Sequence, residues 1–308
     1  MRNMANVIRE LATQKKAVIL AHYYCRPEVQ EAADLVGDSL ALILAATKTE
    51  AGMIVLCGVY PLAETLAILC PDKTVIAAHP EAGCLMADMI TAEALAGRKA
   101  ERPEAAVLTH VNSPAAVKAE SDVCCASSNM AAMLKNLEGD VVLMTPDRNL
   151  AAYFKTRAPE KKILSWSGFC PIHDRLRPLE VADLQKKHPR AEIAAHPKCR
   201  REVLAQASFV GSAADIVDYC GRSSKQEFII LAEEGLRHRL EKNNPSKIFH
   251  FTTAPMICPG MKMNSLIDII RSLETASPRV EPPREIKAKA LIPLRRMLET
   301  EATPGGGA

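Results

Sequence analysis

Short apolar runs alternate with amphipathic segments along almost the whole chain. AVILAHYY (17–24), MIVLCGV (53–59) and TVIAAH (74–79) are predicted as buried strands, and LALILAATKTEA between them as a helix. RPEVQEAADLV (26–36) is predicted as one helix that ends at the sequence GDS. Because buried strands that alternate with helices form parallel sheets covered on both faces, the pattern predicts an α/β fold of αβα layers.

The same order of elements recurs twice more, and three residue types recur with it. A histidine follows the first strand of each copy, a serine lies at the start of the second helix, and a cysteine follows the last strand. Within each type the spacings are between 85 and 88 residues. The three sets are His22, His110 and His196; Ser39, Ser127 and Ser212; and Cys84, Cys170 and Cys258. A period shared by three residue types predicts a chain built from three similar units.

The repeat sets the expected domain boundaries. We predict three α/β repeats at residues 1–84, 85–171 and 172–258, each a three-layer αβα domain with a parallel sheet. Residues 259–308 are predicted to form C-terminal helices that pack back on the body, and the final TPGGGA is predicted to be disordered.

Composition limits the class of protein. The 308 residues include 39 basic and 36 acidic side chains spread along the chain, without the basic tract or aromatic ladder of a nucleic-acid-binding protein. The N-terminus has an amphipathic helix pattern and no signal peptide, and no apolar run is long enough to span a bilayer. We therefore expect a cytoplasmic protein with no membrane partner, in which most of the ten cysteines are reduced thiols.

The three residue sets all follow strands, and ligands of open parallel sheets bind beyond the carboxyl ends of the strands. A helix N-terminus with a serine binds carboxylate or phosphate through free N–H groups and the positive end of the helix dipole. The alternative for each serine is that it only caps its own helix. Three such termini facing one cleft favour a substrate with several anionic groups.

The cysteines lack the close spacing of zinc ribbons and ferredoxins. Three thiolates facing one cleft can hold a four-iron cluster with one unligated iron, or a zinc ion with an open position, or they can be thiols without a metal. The spacing leaves these three alternatives open. Cys57, Cys70 and Cys220 are predicted as core residues, and no role is assigned to four others, Cys25, Cys124, Cys125 and Cys199.

The histidines are candidate general acids or bases, with Tyr24 and Asn112 close to them in sequence. There is no dinucleotide-binding GxGxxG and no P-loop. Glu233 and Glu234, in LAEEGL, are interpreted as carboxylates at the start of a helix.

These stretches closely resemble the quinolinate synthase family, iron–sulfur enzymes of NAD biosynthesis. The resemblance covers residues 17–264 and includes AHYYCRPEVQEAADLVGDSL, CGVYPLAET, EAGCLMAD, AVKAESDVCCASSN, TPDRNL, GFCPIHD, EEGLRHRL and CPGMKM. It implies three similar domains around a pseudo-threefold axis and a 4Fe-4S cluster held by three cysteines, with one open iron site. The matching cysteines are Cys84, Cys170 and Cys258. The implied reaction condenses iminoaspartate with dihydroxyacetone phosphate, and L-aspartate oxidase is the implied supplier of iminoaspartate.

The resemblance also implies roles for individual residues. Tyr24 and the histidines would move protons, while the serines and Asn112 would hold carboxylates and phosphate. The matching proton-transfer residues are His22, Tyr24, His173 and His196, and the matching anion-binding residues are Ser39, Asn112, Ser127 and Ser212.

Three positions depart from the family pattern. The family has Tyr at His110, Glu at Lys198 and Thr at Ala213. Lys198 replaces a base with a cation, which can bind an anion, form an imine with a ketone, or act as a base if its pKa is lowered.

Three functional hypotheses therefore stand. The first is a quinolinate synthase, and the second is a related cluster enzyme acting on another oxo acid or imine. The third is a non-catalytic protein that binds small anions.

Overall fold

The computed structural model describes residues 4–302, and the predicted α/β class is confirmed. Three parallel four-stranded sheets are present, and within residues 4–302 no sheet closes into a barrel. In the same residues, no helix combines the length and the apolar character needed to cross a membrane. The C-terminal TPGGGA lies outside the described residues.

The first sheet has the strand order β2-β1-β3-β4. Its strands are β1 (Ala17–His22), β2 (Leu35–Gly37), β3 (Met53–Cys57) and β4 (Thr74–Ala77). The accompanying helices are α1 (Met4–Lys15), α2 (Pro27–Ala32), α3 (Ser39–Lys48) and α4 (Tyr60–Leu69).

The second sheet repeats this order as β6-β5-β7-β8. Its strands are β5 (Ala106–His110), β6 (Val123–Cys125), β7 (Val141–Thr145) and β8 (Lys162–Ser165). A 3-10 turn (Ala87–Met89) precedes α5 (Ala92–Glu101), and the other helices are α6 (Ala115–Ala119), α7 (Met130–Asn136) and α8 (Arg148–Lys155).

The third sheet has the order β10-β9-β11-β12, again the same topology. Its strands are β9 (Glu192–Ala195), β10 (Phe209–Val210), β11 (Glu227–Leu231) and β12 (Ile248–His250). The helices of this part are α9 (Pro171–Asp174), α10 (Pro178–Lys187), α11 (Arg201–Leu204), α12 (Ala213–Arg222) and α13 (Leu236–Asn243).

Three C-terminal helices complete the described chain: α14 (Pro259–Met263), α15 (Leu266–Thr275) and α16 (Arg284–Ala302). Helix α15 packs against α1, α2 and β3, so it covers the first sheet. Helix α16 packs against α4, α6, α7 and β6, and it therefore joins the first and second sheets.

The single helix predicted at residues 26–36 is wrong in its second half. Helix α2 ends at Ala32, Ala33 is extended, and Leu35–Gly37 forms strand β2 in parallel register with β1. The Asp34 carboxylate accepts a hydrogen bond from the Ile19 backbone N–H at 2.8 Å, which fixes the start of this strand beside β1. A three-residue strand is too short to show a period of two, so the helical pattern around it dominated the prediction.

Equivalent hydrogen bonds position the cysteine loops in the three units. In each unit, a residue at or just before the start of the helix that follows the third strand donates its backbone N–H to a carbonyl oxygen. That carbonyl belongs to the residue two positions before the cysteine. The pairs are Tyr60 N to Ala82 O at 2.7 Å, Arg148 N to Gly168 O at 2.8 Å, and Glu234 N to Met256 O at 2.9 Å. The three loops therefore fold back over the carboxyl ends of their sheets in the same way.

Lys118 is a fully buried cation where the first and second sheets meet. Its Nζ donates to the carbonyl oxygens of Pro61 at 2.8 Å and Val111 at 3.1 Å, and to the Thr65 hydroxyl at 2.7 Å. Burial lowers the pKa of Lys118 from 10.5 to about 8, and the nearby Glu64 carboxylate partly opposes this shift. Three oxygen acceptors satisfy the three N–H bonds of the ammonium group.

Replacing Lys118 by methionine is expected to change how stability depends on pH. Between about pH 8 and pH 10.5 the unfolded chain holds a proton that folded Lys118 has released, so Lys118 adds stability as the pH rises through this window. Relative to Lys118→Met, the free energy of unfolding of the wild type should rise by about 3 kcal/mol over that window. Urea unfolding of both proteins at several pH values measures the difference, and a constant difference would contradict the assigned shift.

Candidate active site

A cavity lies at the carboxyl ends of all three sheets, with about 680 Å³ of space that no protein atom fills, including space open to solvent. Strand-end residues of each unit reach it because the three sheets point these ends at one region. Every site residue predicted from the sequence lines it: His22, Tyr24, Ser39, Cys84, His110, Asn112, Ser127, Cys170, His173, His196, Lys198, Ser212, Ala213 and Cys258.

Seven further residues line the same cavity without having been predicted as site residues. They are Asp38, Val59, Met86, Ala126, Ile172, Glu233 and Met261. Glu233 is the most informative of them, because its side chain is fully buried and ionisable. Glu233 does lie just before the start of α13, as the sequence predicts, and its carboxylate accepts from the Gly235 backbone N–H at 2.6 Å. Its burial at the cavity was not predicted.

Cys84, Cys170 and Cys258 differ from the other seven cysteines in the described chain. These three are partly exposed to the cavity, whereas the other seven are buried in the protein interior. Burial raises the pKa of Cys170 to about 12 and that of Cys258 to about 11, and it also raises the pKa of Cys84. Without a metal the three groups are therefore protonated thiols at neutral pH, and metal binding would release protons.

Buried carboxylates position two of the three cysteine loops. Asp147 accepts a hydrogen bond from the backbone N–H of Cys170 at 2.8 Å, and Glu233 accepts one from the backbone N–H of Cys258 at 2.9 Å. Glu233 also forms an ion pair with Lys262 at 2.7 Å. The two carboxylates are 86 positions apart, within the spacing of the repeat, so a comparison of the units at this position would have found them.

The three histidines of the repeat share one hydrogen-bonding pattern. The backbone N–H two residues later donates to Nδ1 of each ring, from Tyr24 to His22 at 3.1 Å, from Asn112 to His110 at 3.1 Å and from Lys198 to His196 at 3.2 Å. Since Nδ1 accepts, a neutral ring has its proton on Nε2. The pattern also directs the residues two positions after the histidines towards the cavity.

The cavity keeps its histidines neutral. Burial, with a smaller contribution from the positive charge of Lys198, lowers the pKa of His22 and of His173 to about 3. Burial likewise lowers the pKa of His110 and His196 well below the ordinary value, with Lys198 again contributing. A neutral imidazole has one N–H that donates a hydrogen bond and one nitrogen that accepts a hydrogen bond or a proton.

Two polar atoms in the cavity wall have no hydrogen-bond partner. The Tyr24 hydroxyl is buried and unpaired, and so is Nε2 of His173, whose Nδ1 lies 3.2 Å from the Cys170 sulfur. Burial raises the pKa of Tyr24 well above its ordinary value, and the nearby Glu233 carboxylate adds to this effect. Buried polar atoms without partners are uncommon in folded proteins, and at a cavity wall they indicate groups that meet a ligand.

The serines do not share one position at their helices. Ser212 is the N-cap of α12 and accepts from the Asp215 backbone N–H at 3.2 Å. Asp38, not Ser39, is the N-cap of α3, and Ser127 lies three residues before Met130, where α7 begins. The prediction of a serine at the helix start is therefore confirmed for Ser39, the first residue of α3, and for Ser212, but it is wrong for Ser127. All three serines line the cavity.

The departures from the family pattern lie together. Lys198 Nζ is 3.3 Å from His110 Nε2, and Nε2 is also 3.2 Å from the Ser127 hydroxyl. Ala213, the first residue of α12, lines the same cavity.

A separate cluster of His188, Glu227 and His250 lies at the edge of the third sheet. Glu227 Oε1 is 3.4 Å from His188 Nδ1 and 2.9 Å from His250 Nε2, and the two rings stack with centroids 3.4 Å apart and an interplanar angle of 17°. A histidine nitrogen binds a metal in the plane of its ring, so two nearly parallel rings cannot both face one ion. We interpret this cluster as a carboxylate bonded to two imidazoles.

Comparison with known proteins identifies relatives over almost the full chain. The family described as NadA, quinolinate synthetase A protein, matches residues 6–299. The quinolinate synthase of Alkaliphilus metalliredigens is 44% identical over 297 residues, which are 96% of this chain and 98% of the relative. The quinolinate synthase of Dehalococcoides mccartyi strain BAV1 is 45% identical over 295 residues, 96% of this chain and 97% of the relative. That of Geobacter sp. strain M21 is 44% identical over 291 residues, 94% and 95% of the two chains. On this similarity, the chain belongs to the quinolinate synthase A family.

Proposed function

We propose that this protein is a quinolinate synthase. It condenses iminoaspartate with dihydroxyacetone phosphate to give quinolinate, phosphate and two molecules of water, and it is classed as a transferase. The observation that carries this proposal is the cavity shared by the three sheets, which collects three thiols, neutral imidazoles and hydroxyl groups. Membership of the quinolinate synthase A family supports the same reaction.

Cys84, Cys170 and Cys258 are the residues that hold a 4Fe-4S cluster in this proposal, leaving one iron open. The donor set fits the group: one partly exposed thiol from each unit lines the same cavity, and buried carboxylates hold the loops of Cys170 and Cys258. When bound, the cluster supplies a Lewis acid at its open iron.

The remaining residues bind the substrates and move protons. Ser39, Ser127, Ser212 and Asn112 donate hydrogen bonds to carboxylate and phosphate oxygens. The unpaired Tyr24 hydroxyl and the unpaired Nε2 of His173 face the cavity, so each is free to exchange a proton with a bound intermediate. As neutral rings with the proton on Nε2, His22 and His196 are suited to donate a hydrogen bond to an oxygen of a bound intermediate.

A second candidate is a related cluster enzyme that acts on a different oxo acid or imine. The contact between Lys198 and His110 favours it, because two departures from the family pattern touch each other. Ala213 removes a third hydrogen-bonding group from the same cavity. A set of adjacent changes in one cleft is what a change of substrate requires.

The two candidates are separated by one assay. The protein, purified without oxygen, is expected to contain four iron and four sulfide ions per chain and to form quinolinate from iminoaspartate and dihydroxyacetone phosphate. It should also restore growth of a quinolinate auxotroph. A loaded cluster with no quinolinate formed and no growth would favour the second candidate. Absence of iron and sulfide would instead favour a non-catalytic protein that binds small anions.

The proposal extends to the setting of the enzyme. We place it in the cytoplasm, with L-aspartate oxidase as the supplier of iminoaspartate. We also propose the domain boundaries expected from the repeat, residues 1–84, 85–171 and 172–258, with residues 259–308 as a C-terminal extension.

A further inference from the structure

Lys198 differs from Lys118, which is fully buried, and from Lys262, which is half-buried. Lys118 Nζ has three oxygen acceptors, and Lys262 Nζ has the Glu233 carboxylate and the Tyr24 carbonyl. Lys198 is only 7% exposed, yet the structure gives its ammonium group no oxygen acceptor and, within residues 4–302, no carboxylate within 4 Å. The charge of Lys198 acts on the buried Asp147 carboxylate, but the two form no ion pair. A buried cation without a directly paired anion is costly, so this position favours a bound counter-ion.

In the described part of the chain, the side chain within hydrogen-bonding distance of the Lys198 ammonium is itself a donor. His110 Nδ1 accepts from the Asn112 backbone N–H, so Nε2 of the neutral ring has the proton. Nε2 and Lys198 Nζ are then two donors 3.3 Å apart, which cannot bond each other. If the ring proton were on Nδ1 instead, Nδ1–H and the Asn112 backbone N–H would be two donors facing each other. Two donors held this close are satisfied together by one acceptor placed between them.

Ser127 adds a third donor. Its hydroxyl oxygen lies 3.2 Å from His110 Nε2 and accepts a hydrogen bond from that N–H when no ligand is bound. The hydroxyl hydrogen of Ser127 is then free to point into the cavity. The ammonium, the imidazole N–H and the hydroxyl all belong to cavity-lining residues.

We infer that Lys198 Nζ, His110 Nε2 and Ser127 Oγ form an oxyanion subsite that binds one acidic group of the ligand. This inference rests on the proposed function for the identity of the ligand, a small molecule with carboxylate and phosphate groups. An oxygen bound here accepts from all three donors and neutralises the buried ammonium. In the family pattern a glutamate stands at position 198, so the subsite is specific to chains with this lysine.

The shared chemistry of the subsite is an anionic oxygen, and two probes separate its sources. Calorimetry of the anaerobically purified protein with inorganic phosphate tests the phosphate group, and calorimetry with quinolinate tests the carboxylate. In Lys198→Met the affinity for at least one probe is expected to fall about 10- to 100-fold, since a charged hydrogen bond is lost. Lys198→Arg should retain most of the affinity. Whichever probe weakens identifies the group that the subsite binds.

A matched control is Lys161→Met. Lys161 donates to the carbonyls of Leu137 and Gly139 at 2.7 Å, away from the cavity, so this variant should bind both probes as the wild type does. Unchanged affinity of Lys198→Met for both probes would overturn the subsite. So would loss of visible absorbance in Lys198→Met, because the ammonium would then serve the cluster and not the ligand.

The subsite and the proposed function fail separately. If the wild type makes no quinolinate but Lys198→Met binds an anion probe more weakly than the wild type, the subsite is supported and the proposed reaction is excluded. If the wild type makes quinolinate and Lys198→Met binds both probes as tightly as the wild type does, the reaction is supported and the subsite is excluded.

Discussion

Replacing Cys170 by alanine is expected to give a colourless protein with no quinolinate synthase activity. Cys170 is one of three partly exposed thiols at the cavity, and its loop is held by Asp147. Removing one of three ligands leaves two, which is too few to retain the cluster under the proposed assignment. Loss of the Lewis acid should lower the rate by at least about 10³-fold. Visible absorbance, iron and sulfide content and quinolinate formation, all measured without oxygen, test this result.

Cys199→Ala is the matched control for this variant. Cys199 is fully buried, and its thiol donates to the Leu231 carbonyl at 3.6 Å. The cavity lining does not include it, so its replacement should leave cluster content and activity near the wild-type values. The assignment of Cys170 is excluded if Cys170→Ala stays brown, and it is weakened if Cys199→Ala loses its colour as well.

Replacing Tyr24 by phenylalanine is expected to separate activity from stability. The buried hydroxyl of Tyr24 has no partner, so its removal costs no hydrogen bond and should raise the free energy of unfolding by up to about 1 kcal/mol. If this hydroxyl moves a proton in the reaction, its loss should lower kcat by about 10²- to 10⁴-fold. Quinolinate assays together with urea unfolding measure both effects on the same protein.

Tyr23→Phe provides the comparison. Tyr23 is adjacent in sequence and only half-buried, and it does not line the cavity. This variant should keep its activity. If Tyr24→Phe retained full activity, the proton-transfer role of Tyr24 would be excluded. If Tyr24→Phe were instead much less stable than the wild type, its hydroxyl would have a structural partner.

The fold was predictable because the repeated pattern is strong. Strands such as β3 and β11 are buried on both faces, at residues 54–56 and 228–231, and give continuous apolar runs. The histidine and cysteine sets recur at strand ends, and parallel strands of similar topology place such ends together. That the candidate site residues lie in one cavity could therefore be predicted from their places at strand ends along the chain.

The parts that sequence did not predict depend on tertiary contacts. Strand β2 exists through its pairing with β1, which its own three residues do not signal. Glu233 has the sequence context of a helix start, and only the docking of the Cys258 loop and Lys262 against it reveals a buried carboxylate. The contact of Lys198 with His110 joins residues 88 positions apart on different sheets, and no local pattern indicates it.

The shared hydrogen bond to each histidine has a consequence for how a ligand is oriented. The backbone N–H that donates to Nδ1 is placed in the same way at His22, His110 and His196, so this hydrogen bond by itself does not favour one orientation of a ligand over another. The residues two positions later break this equivalence, since they present a phenol, an amide and an ammonium group to the cavity. The orientation of the ligand thus depends on these three side chains, because the backbone hydrogen bond beside them is the same in all three units. Exchanging these side chains among the units is therefore expected to change how a ligand is oriented in the cavity.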